Sequence, residues 1–352
     1  MMKQVIAPPA LFDVSEWSAD DEFAVYPEGS RAKSALISPP NPLSELIIPE
    51  HRYLFKKSRS SFPVQFWGEV VAFEIGKLMG VDVPPAYPAI NHKTGSEGAL
   101  IQWFYGPNLR HDFPTSDRSG ESDNLWKRLY RSVFGNPPKE VYEEIRYISG
   151  DQYMIKINKD YDLDKGKDHN IRDIFLLTQL LERSFNLVDG YCHWMKVLVF
   201  DALIGNVDRH QSNWGVLWKG MDPEVATAKF SPAFDNGTAL VYEYGDERLG
   251  KFDDATFRAR YIDRGRHQMK LNRQDNERAG HIQMIEHLLR SDPKLAECVR
   301  GVINFSMSEL ATNLSLLCSI ETPTPFSEKR CAVILSLVGE RRDRIQKLVT
   351  SI

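Results

Sequence analysis

The sequence of 352 residues predicts an α+β fold in two parts: a small sheet-rich lobe over residues 1–106 and a larger, mainly helical lobe over 107–352. Three observations predict it. Before residue 106 the apolar runs are short and broken by Gly, Pro and Asn, as strands and their turns are, with one long helical pattern among them. After Gly106 the composition turns polar, charged and proline-interrupted. Beyond residue 168 apolar residues recur at helical spacing over long stretches. With 42% apolar and 11% aromatic residues, the chain can build real cores rather than stay disordered.

Residues 1–23 carry little signal of their own. AVYPEGSRAKSALI (24–37) reads as strand, turn, strand, with Gly29 at the turn, and PPNP (39–42) is a loop. Arg52 to Lys57 forms a short strand. SSFPVQFWGEVVAFEIGKLMG is the clearest helix of this half. Ser60 or Ser61 caps it, Pro63 fits its first turn, Trp67, Val70, Val71, Ile75 and Leu78 share a stripe, and Gly80 stops it. VDVPPAYPAI and ALIQWFYG then read as two strands about a turn at Asn91 to Gly98. In the second part, helices are expected at 122–134, 138–148 and 168–185 and in GYCHWMKVLVFDALIG. A charged, loop-like stretch follows from Asp235 to about 275, then helices over 276–291, 294–318 and 327–350.

The totals narrow the function classes. Net charge is −4 and the pI is near 6.2, so there is no basic excess to coat nucleic acid. Cys192, Cys298, Cys318 and Cys331 include no CxxC pair and read as buried thiols in a reducing compartment, not disulfides or a zinc site. MMKQVIAPPALFD is a poor signal peptide, its short apolar run broken by Pro8 and Pro9. No apolar run approaches the ~20 residues that span a bilayer. The expected address is the cytoplasm.

The chemistry gathers in FDALIGNVDRHQSNWGVL, residues 200–217. An apolar run ends in a polar turn and resumes. Asp208 and Asn213 stand five residues apart, with Arg209 and His210 between them, and FSPAFDNGTAL then brings Asp235 into a second turn. Transfer of a γ-phosphoryl group from ATP needs a carboxylate to orient the accepting hydroxyl and take its proton. It also needs oxygen ligands for Mg²⁺ near the phosphates. Asp208 fits the base; Asn213 and Asp235 fit the metal ligands. Alone, each fragment is an ordinary polar turn with capping side chains. The length of GN-x-DRH-x-x-N, its place between two apolar segments and the order of the two turns favour phosphoryl transfer.

LIGNVDRHQSNWGVL followed by SPAFDNG resembles the HipA-like serine/threonine kinases, and DRHxxN is shared with the catalytic loop of the related phosphatidylinositol 3- and 4-kinases. The resemblance covers most of residues 25–240. It implies a two-lobed protein-kinase-like fold and a protein serine/threonine kinase that uses ATP and Mg²⁺. In that family a turn like Gly29-Ser30-Arg31-Ala32-Lys33 covers the phosphates, a strand lysine pairs with them, and a glutamate opening the next helix holds that lysine. The likeness of GEVVAFEIGKLMGVDVP to the family helix gives Glu69 as the glutamate. Glu74, on the inward stripe, competes for the role. Strand alternation puts Lys56 on one face with Leu54 and makes it the candidate lysine; Lys57 points the other way.

The turn holds one glycine and no GxGxxG cradle, so Gly29, Ser30 and Lys33 either contact phosphates or form a simple hairpin turn. Gln102 to Gly106 ends the last strand of the small lobe, where a hinge would present backbone groups, those of Gln102 and Phe104 included, to adenine. His210 either steadies the γ-phosphate or hydrogen-bonds the loop backbone. Tyr26 stands where some family members carry an autophosphorylated serine. The chain is shorter than the HipA toxins; the family implies a DNA-binding, antitoxin-like protein partner. Residues 238–275 are the expected activation and substrate region. Within them, Arg258, Arg260, Arg264, Arg266, Lys270 and Arg273 either receive an anionic group or form a solvated face. Phosphorylation of a lipid or small molecule, a nucleotide-binding pseudokinase adaptor, and transfer of AMP instead of phosphate are the competing functions.

Overall fold

The computed structural model of the chain describes residues 10–20, 33–106, 145–163, 166–185, 187–220 and 226–352. The first part is a six-stranded sheet with the order β1-β5-β6-β4-β3-β2. Its strands are β1 (Phe12–Asp13), β2 (Ser18–Ala19), β3 (Lys33–Ile37), β4 (Arg52–Lys57), β5 (Ala86–Asn91) and β6 (Ser96–Gln102). All pairs are antiparallel except β1 with β5, and both edges are strands of two residues.

Alternation in β4 sorts its residues as the period of two requires. Tyr53 and Phe55 enter a small core with Phe12, Val14, Leu36, Ile47, Ala89 and Leu100. Leu54 packs toward the main core, on the face covered by helix α1 (Gln65–Met79). That helix ends at Gly80, whose φ of 64° is the left-handed cap expected of glycine. Its start differs from expectation. The first helical residue is Gln65, and Ser58, not Ser60 or Ser61, reaches in to accept from Phe66 N at 2.9 Å.

The second part is mainly helical and carries a three-stranded antiparallel sheet, β7 (Ile145–Ser149), β8 (Gly215–Lys219) and β9 (Thr227–Phe230). Its helices are α2 (Gly150–Ile157), α3 (Ile171–Ser184), α4 (Gly190–Ile204), α5 (Ala255–Asp263), α6 (His281–Ser291), α7 (Leu295–Ile303), α8 (Met307–Cys318) and α9 (Glu328–Ser351). α4 is the axis: apolar nearly all round, it is covered by α3, α6, α7 and α9. One continuous core runs from α1 through α4 to α9.

Several expectations need correction. Of the helix expected at 138–148, the described part belongs to the strand Ile145–Ser149, because Ile145, Tyr147 and Ile148 pair with β8 and suit a pleated surface. The expected helix at 122–134 and the Gly29-Ser30 turn lie outside the described residues. The stretch expected as loop to 275 holds a 3₁₀ segment, Asp246–Asp253, and α5, whose N-cap Asp254 accepts from Thr256 N at 2.7 Å. The expected helix 294–318 is two, since Ser306 breaks it and caps α8 by accepting from Glu309 N at 3.1 Å. Cys192 on α4 and Cys298 on α7 are joined in a disulfide with Cα atoms 5.7 Å apart, so the expectation of four reduced thiols fails for this pair. The two helices lie side by side although 106 residues separate the cysteines, a proximity that sequence spacing does not reveal. Among the described residues no helix is long and apolar enough to cross a membrane.

Candidate active site

The site is built where α4 ends. Gly205, at φ 70°, closes the helix in the left-handed conformation, and the chain turns into the polar loop that carries Asp208 to Asn213. Asn206 organises this turn. Its Oδ1 accepts from Asp208 N at 3.0 Å and its Nδ2 donates to Asp201 Oδ1 at 3.0 Å. His281 of α6 donates from Nε2 to the Asn206 carbonyl at 2.8 Å; a carbonyl can only accept, so this nitrogen carries the proton. Asn213 Nδ2 donates to the Asp208 carbonyl at 2.7 Å, which leaves its side-chain oxygen as the acceptor that can meet a cation.

Arg209 joins this loop to the next one. Its guanidinium forks onto Asp201, Nε to Oδ2 at 3.0 Å and Nη2 to Oδ1 at 2.8 Å. It also donates to the Asn213 carbonyl at 3.0 Å, to Asn236 Oδ1 at 2.8 Å and to the Phe234 carbonyl. Burial opposes the charge, and Asp201, with Asp235 and Glu69 behind it, more than offsets burial, so the guanidinium is held above its ordinary pKa. The sequence reading passed over Arg209. Arg209 stands in a polar turn, where a solvated side chain is the ordinary expectation, and Asp201 lies eight residues back on the preceding helix.

Asp235 sits in the second turn at φ 57°, its side chain about one-third exposed at 34%. Lys56, in β4, reaches across from the sheet lobe and contacts both Asp235 Oδ1 and Glu69 Oε1, the latter at 2.9 Å. The other oxygen of Glu69 accepts from Asn236 N at 2.8 Å, so one carboxylate of α1 touches the lysine and the Asp235 turn together. α1 approaches this turn closely, for a Cβ on Gly68 would lie 3.3 Å from Gly237 Cα. Glu74 faces elsewhere, to Asn313 of α8 and to Lys77.

Asp208 is half-buried opposite this group. Burial pushes its carboxyl above the ordinary value; His210, Arg209 and Lys56 pull it down, and Asp235 adds to the push. The Asp235 carboxylate and the side-chain oxygen of Asn213 are hard oxygen donors, which fits Mg²⁺. Among the described residues no three His, Cys, Asp or Glu side chains form a complete cage, so these residues suit a metal that brings further oxygens with its phosphates. His210 accepts from Ser212 N through Nδ1 at 3.2 Å, and Ser212 Oγ donates to Asp151 of α2 at 3.1 Å.

Of the remaining expected residues, Lys33 opens β3 with its Cα paired to that of Lys56, while Gly29 and Ser30 lie outside the described residues. Gln102 spends its backbone N–H on the Pro85 carbonyl at 2.8 Å. Phe104 packs on Phe234 with ring centroids 5.2 Å apart, and Tyr105 and Tyr147 complete an aromatic wall beside the Asp235 turn. Tyr147 went unnoticed in the sequence because its segment read as helix. Half of the basic cluster has carboxylate partners: Arg258 pairs with Glu340, Arg273 with Asp173 and, at 3.7 Å, Arg266 with Glu277.

No protein-family model matches the chain. The crystal structure of the Helicobacter pylori proinflammatory kinase CtkA superposes over 97% of this chain and 97% of that one, with TM-score 0.66 and 14% sequence identity. The fold is that of a two-lobed kinase. The serine/threonine-protein kinase CtkA of Helicobacter pylori strain J99 is also similar in sequence, 30% identical over 113 residues. That stretch is 30% of this chain and spans 30% of the relative's length. A structure of Shewanella oneidensis HipA with HipB and operator DNA matches over 93% of this chain and 66% of that one, at 12% identity and TM-score 0.48. In this kinase fold the six-stranded sheet with α1 is the small lobe, Lys56 meets Glu69 and Asp235, and Asn213 is bonded to the Asp208 backbone on the adjoining loop.

Proposed function

We propose that the chain is an ATP- and Mg²⁺-dependent phosphotransferase that acts on serine or threonine of a protein. The observation that carries this reading is the three-way contact of Lys56 with Glu69 and Asp235, drawn from two lobes and 179 residues apart at its widest. A buried lysine held by two carboxylates has a fixed direction, as a phosphate clamp must. Asn213 and Asp235 would hold Mg²⁺, which when bound neutralises charge on the phosphates. Asp208 accepts the proton of the incoming hydroxyl, its carboxyl already raised toward the working range of a base. Arg209 fixes the backbone that carries Asp208, Asn213 and Asp235, so the three move as one body.

A protein acceptor is preferred to a lipid because half of the cationic cluster that would receive a head group already has carboxylate partners. A cytoplasmic address would supply the ATP, while the Cys192–Cys298 disulfide favours a more oxidising compartment. The test is mass spectrometry of the protein after incubation with ATP and Mg²⁺, wild type beside Asp208→Ala. A gain of one phosphate in wild type alone is expected. A gain matching AMP, or equal phosphate on both proteins, overturns the reading.

A further inference from the structure

The segment between α8 and α9, residues 319–327, leaves the helical lobe and reaches the small lobe. Its centre is Pro323-Thr324-Pro325, where two prolines restrict the backbone to extended conformations. The Thr324 carbonyl accepts from Trp67 Nε1 of α1 at 2.8 Å, and Thr324 N donates to Glu97 Oε2 of β6 at 3.0 Å. Phe326, 1% exposed, packs on the Trp67 ring with centroids 5.3 Å apart. One turn before the segment, Asn313 of α8 donates to Glu74 of α1 at 3.2 Å. Trp67 stands two residues before Glu69, and Glu74 five after it, so α1 is gripped on both sides of the residue that meets Lys56.

We propose that residues 319–327 act as a strap by which the large lobe holds α1 inward, and that Trp67, Glu74 and Glu97 are positioning residues for Glu69. This rests on reading Lys56 and Glu69 as nucleotide machinery. A helix free to swing would take Glu69 away from Lys56 and leave a buried lysine with one partner fewer. The strap removes that freedom with contacts made by the fold itself, so the Lys56–Glu69 pair stands assembled before any substrate or modification arrives.

Two measurements test it. Hydrogen exchange is followed in wild type and Trp67→Phe, which keeps an aromatic ring and loses the donor. Faster exchange confined to α1, with α4 and α7 unchanged, is expected. Kinetics then compare Trp67→Phe, Glu69→Gln and the double variant. Trp67→Phe should raise the KM for ATP by up to about tenfold, the effect of one lost hydrogen bond, with a smaller change in kcat. In the Glu69→Gln background it should add nothing, because both act through one pair. Unchanged exchange in α1, or losses that multiply in the double variant, overturns the strap. Should Trp67→Phe fail to fold, Asn313→Asp sets a like charge against Glu74, and adding Glu74→Gln restores the hydrogen bond in the opposite sense. Loss in the first and recovery in the second is expected, and loss in both overturns the proposal. If wild type neither binds ATP nor transfers phosphate, the kinase reading fails, while the exchange data still decide whether the strap holds α1.

Discussion

Arg209 and Asp201 form a forked ion pair sealed from solvent, both residues at 0% exposure, within the turn that carries the candidate base. Neither could be buried alone, and together they connect α4, the Asp208 loop and the Asp235 turn. Their separation of eight residues places them on either side of the helix end.

Replacing Arg209 by Lys removes the fork and leaves Asp201 short of a donor, since an ammonium cannot span both oxygens and reach Asn236 as well. The expected cost is about 3–5 kcal/mol, the range for breaking one side of a buried pair. Urea unfolding should show a lower midpoint with an unchanged slope. A stability equal to wild type would mean that the pair does not hold the turns together.

Asp208→Asn should make the protein more stable at neutral pH and inactive. The Asp208 carboxyl is raised in the fold, chiefly by burial. The native state therefore holds its proton to higher pH than the unfolded chain does. The stability this proton contributes is present at low pH and is lost as pH rises through the folded value. Asparagine carries no such penalty. Thermal melts should separate the variant from wild type at pH 7 and bring them together at about pH 3, where both states of wild type are protonated.

Three buried histidines behind the loop predict acid sensitivity. Burial lowers His169 to about 4 and His267 to about 3, and it holds His281 well below the ordinary value. Each is neutral in the fold and takes a proton on unfolding below its ordinary value of 6.5. Stability is full above that pH and falls as pH drops toward the folded values, by about 1.4 kcal/mol per unit for each histidine. Chemical denaturation between pH 7 and pH 5 should show the slope. His193, also lowered to about 4 by burial, adds a fourth share, so His267→Leu should remove roughly a quarter of it. Among the described residues neither ring nitrogen of His267 has a hydrogen-bond partner, so the substitution breaks no such bond.

The Cys192–Cys298 bridge closes a loop of 106 residues. Intact mass should rise by about two hydrogens on reduction, and the reduced protein or Cys298→Ser should unfold at lower denaturant, by about 2–4 kcal/mol. An identical midpoint with and without reductant would show that packing of α4 on α7 suffices.

The longer strands of the small lobe were legible because their periodicity is local: β4 falls on the expected residues, Arg52–Lys57, and alternation predicts which side chains enter the outer core, whereas β1 and β2, two residues each, are too short to carry a period. Asp208, Asn213 and Asp235 were nameable from the spacing of two polar turns, Lys56 from strand alternation and Glu69 from the family resemblance, and the fold sets Lys56 against Glu69 and Asp235. Arg209 was overlooked because its partner lies on a helix face that only the three-dimensional turn brings near. The disulfide escaped for the same reason, as did Trp67, which reads as a core residue on a helical stripe. Ser306 was hidden because apolar spacing continues across it. Contacts between distant segments carry no period, so sequence pattern alone does not announce them.

Among the described residues, the sheet of the small lobe is bordered at each side by a strand of two residues, β1 against β5 and β2 against β3. A row of unpaired amides and carbonyls on a longer strand is a template for another chain. Phe12–Asp13 and Ser18–Ala19 cover β5 and β3 while offering a newcomer almost nothing to extend. The few residues from 10 to 20 thus act as hems on the sheet, and it is at them that fibril-like self-association would begin were they trimmed or displaced.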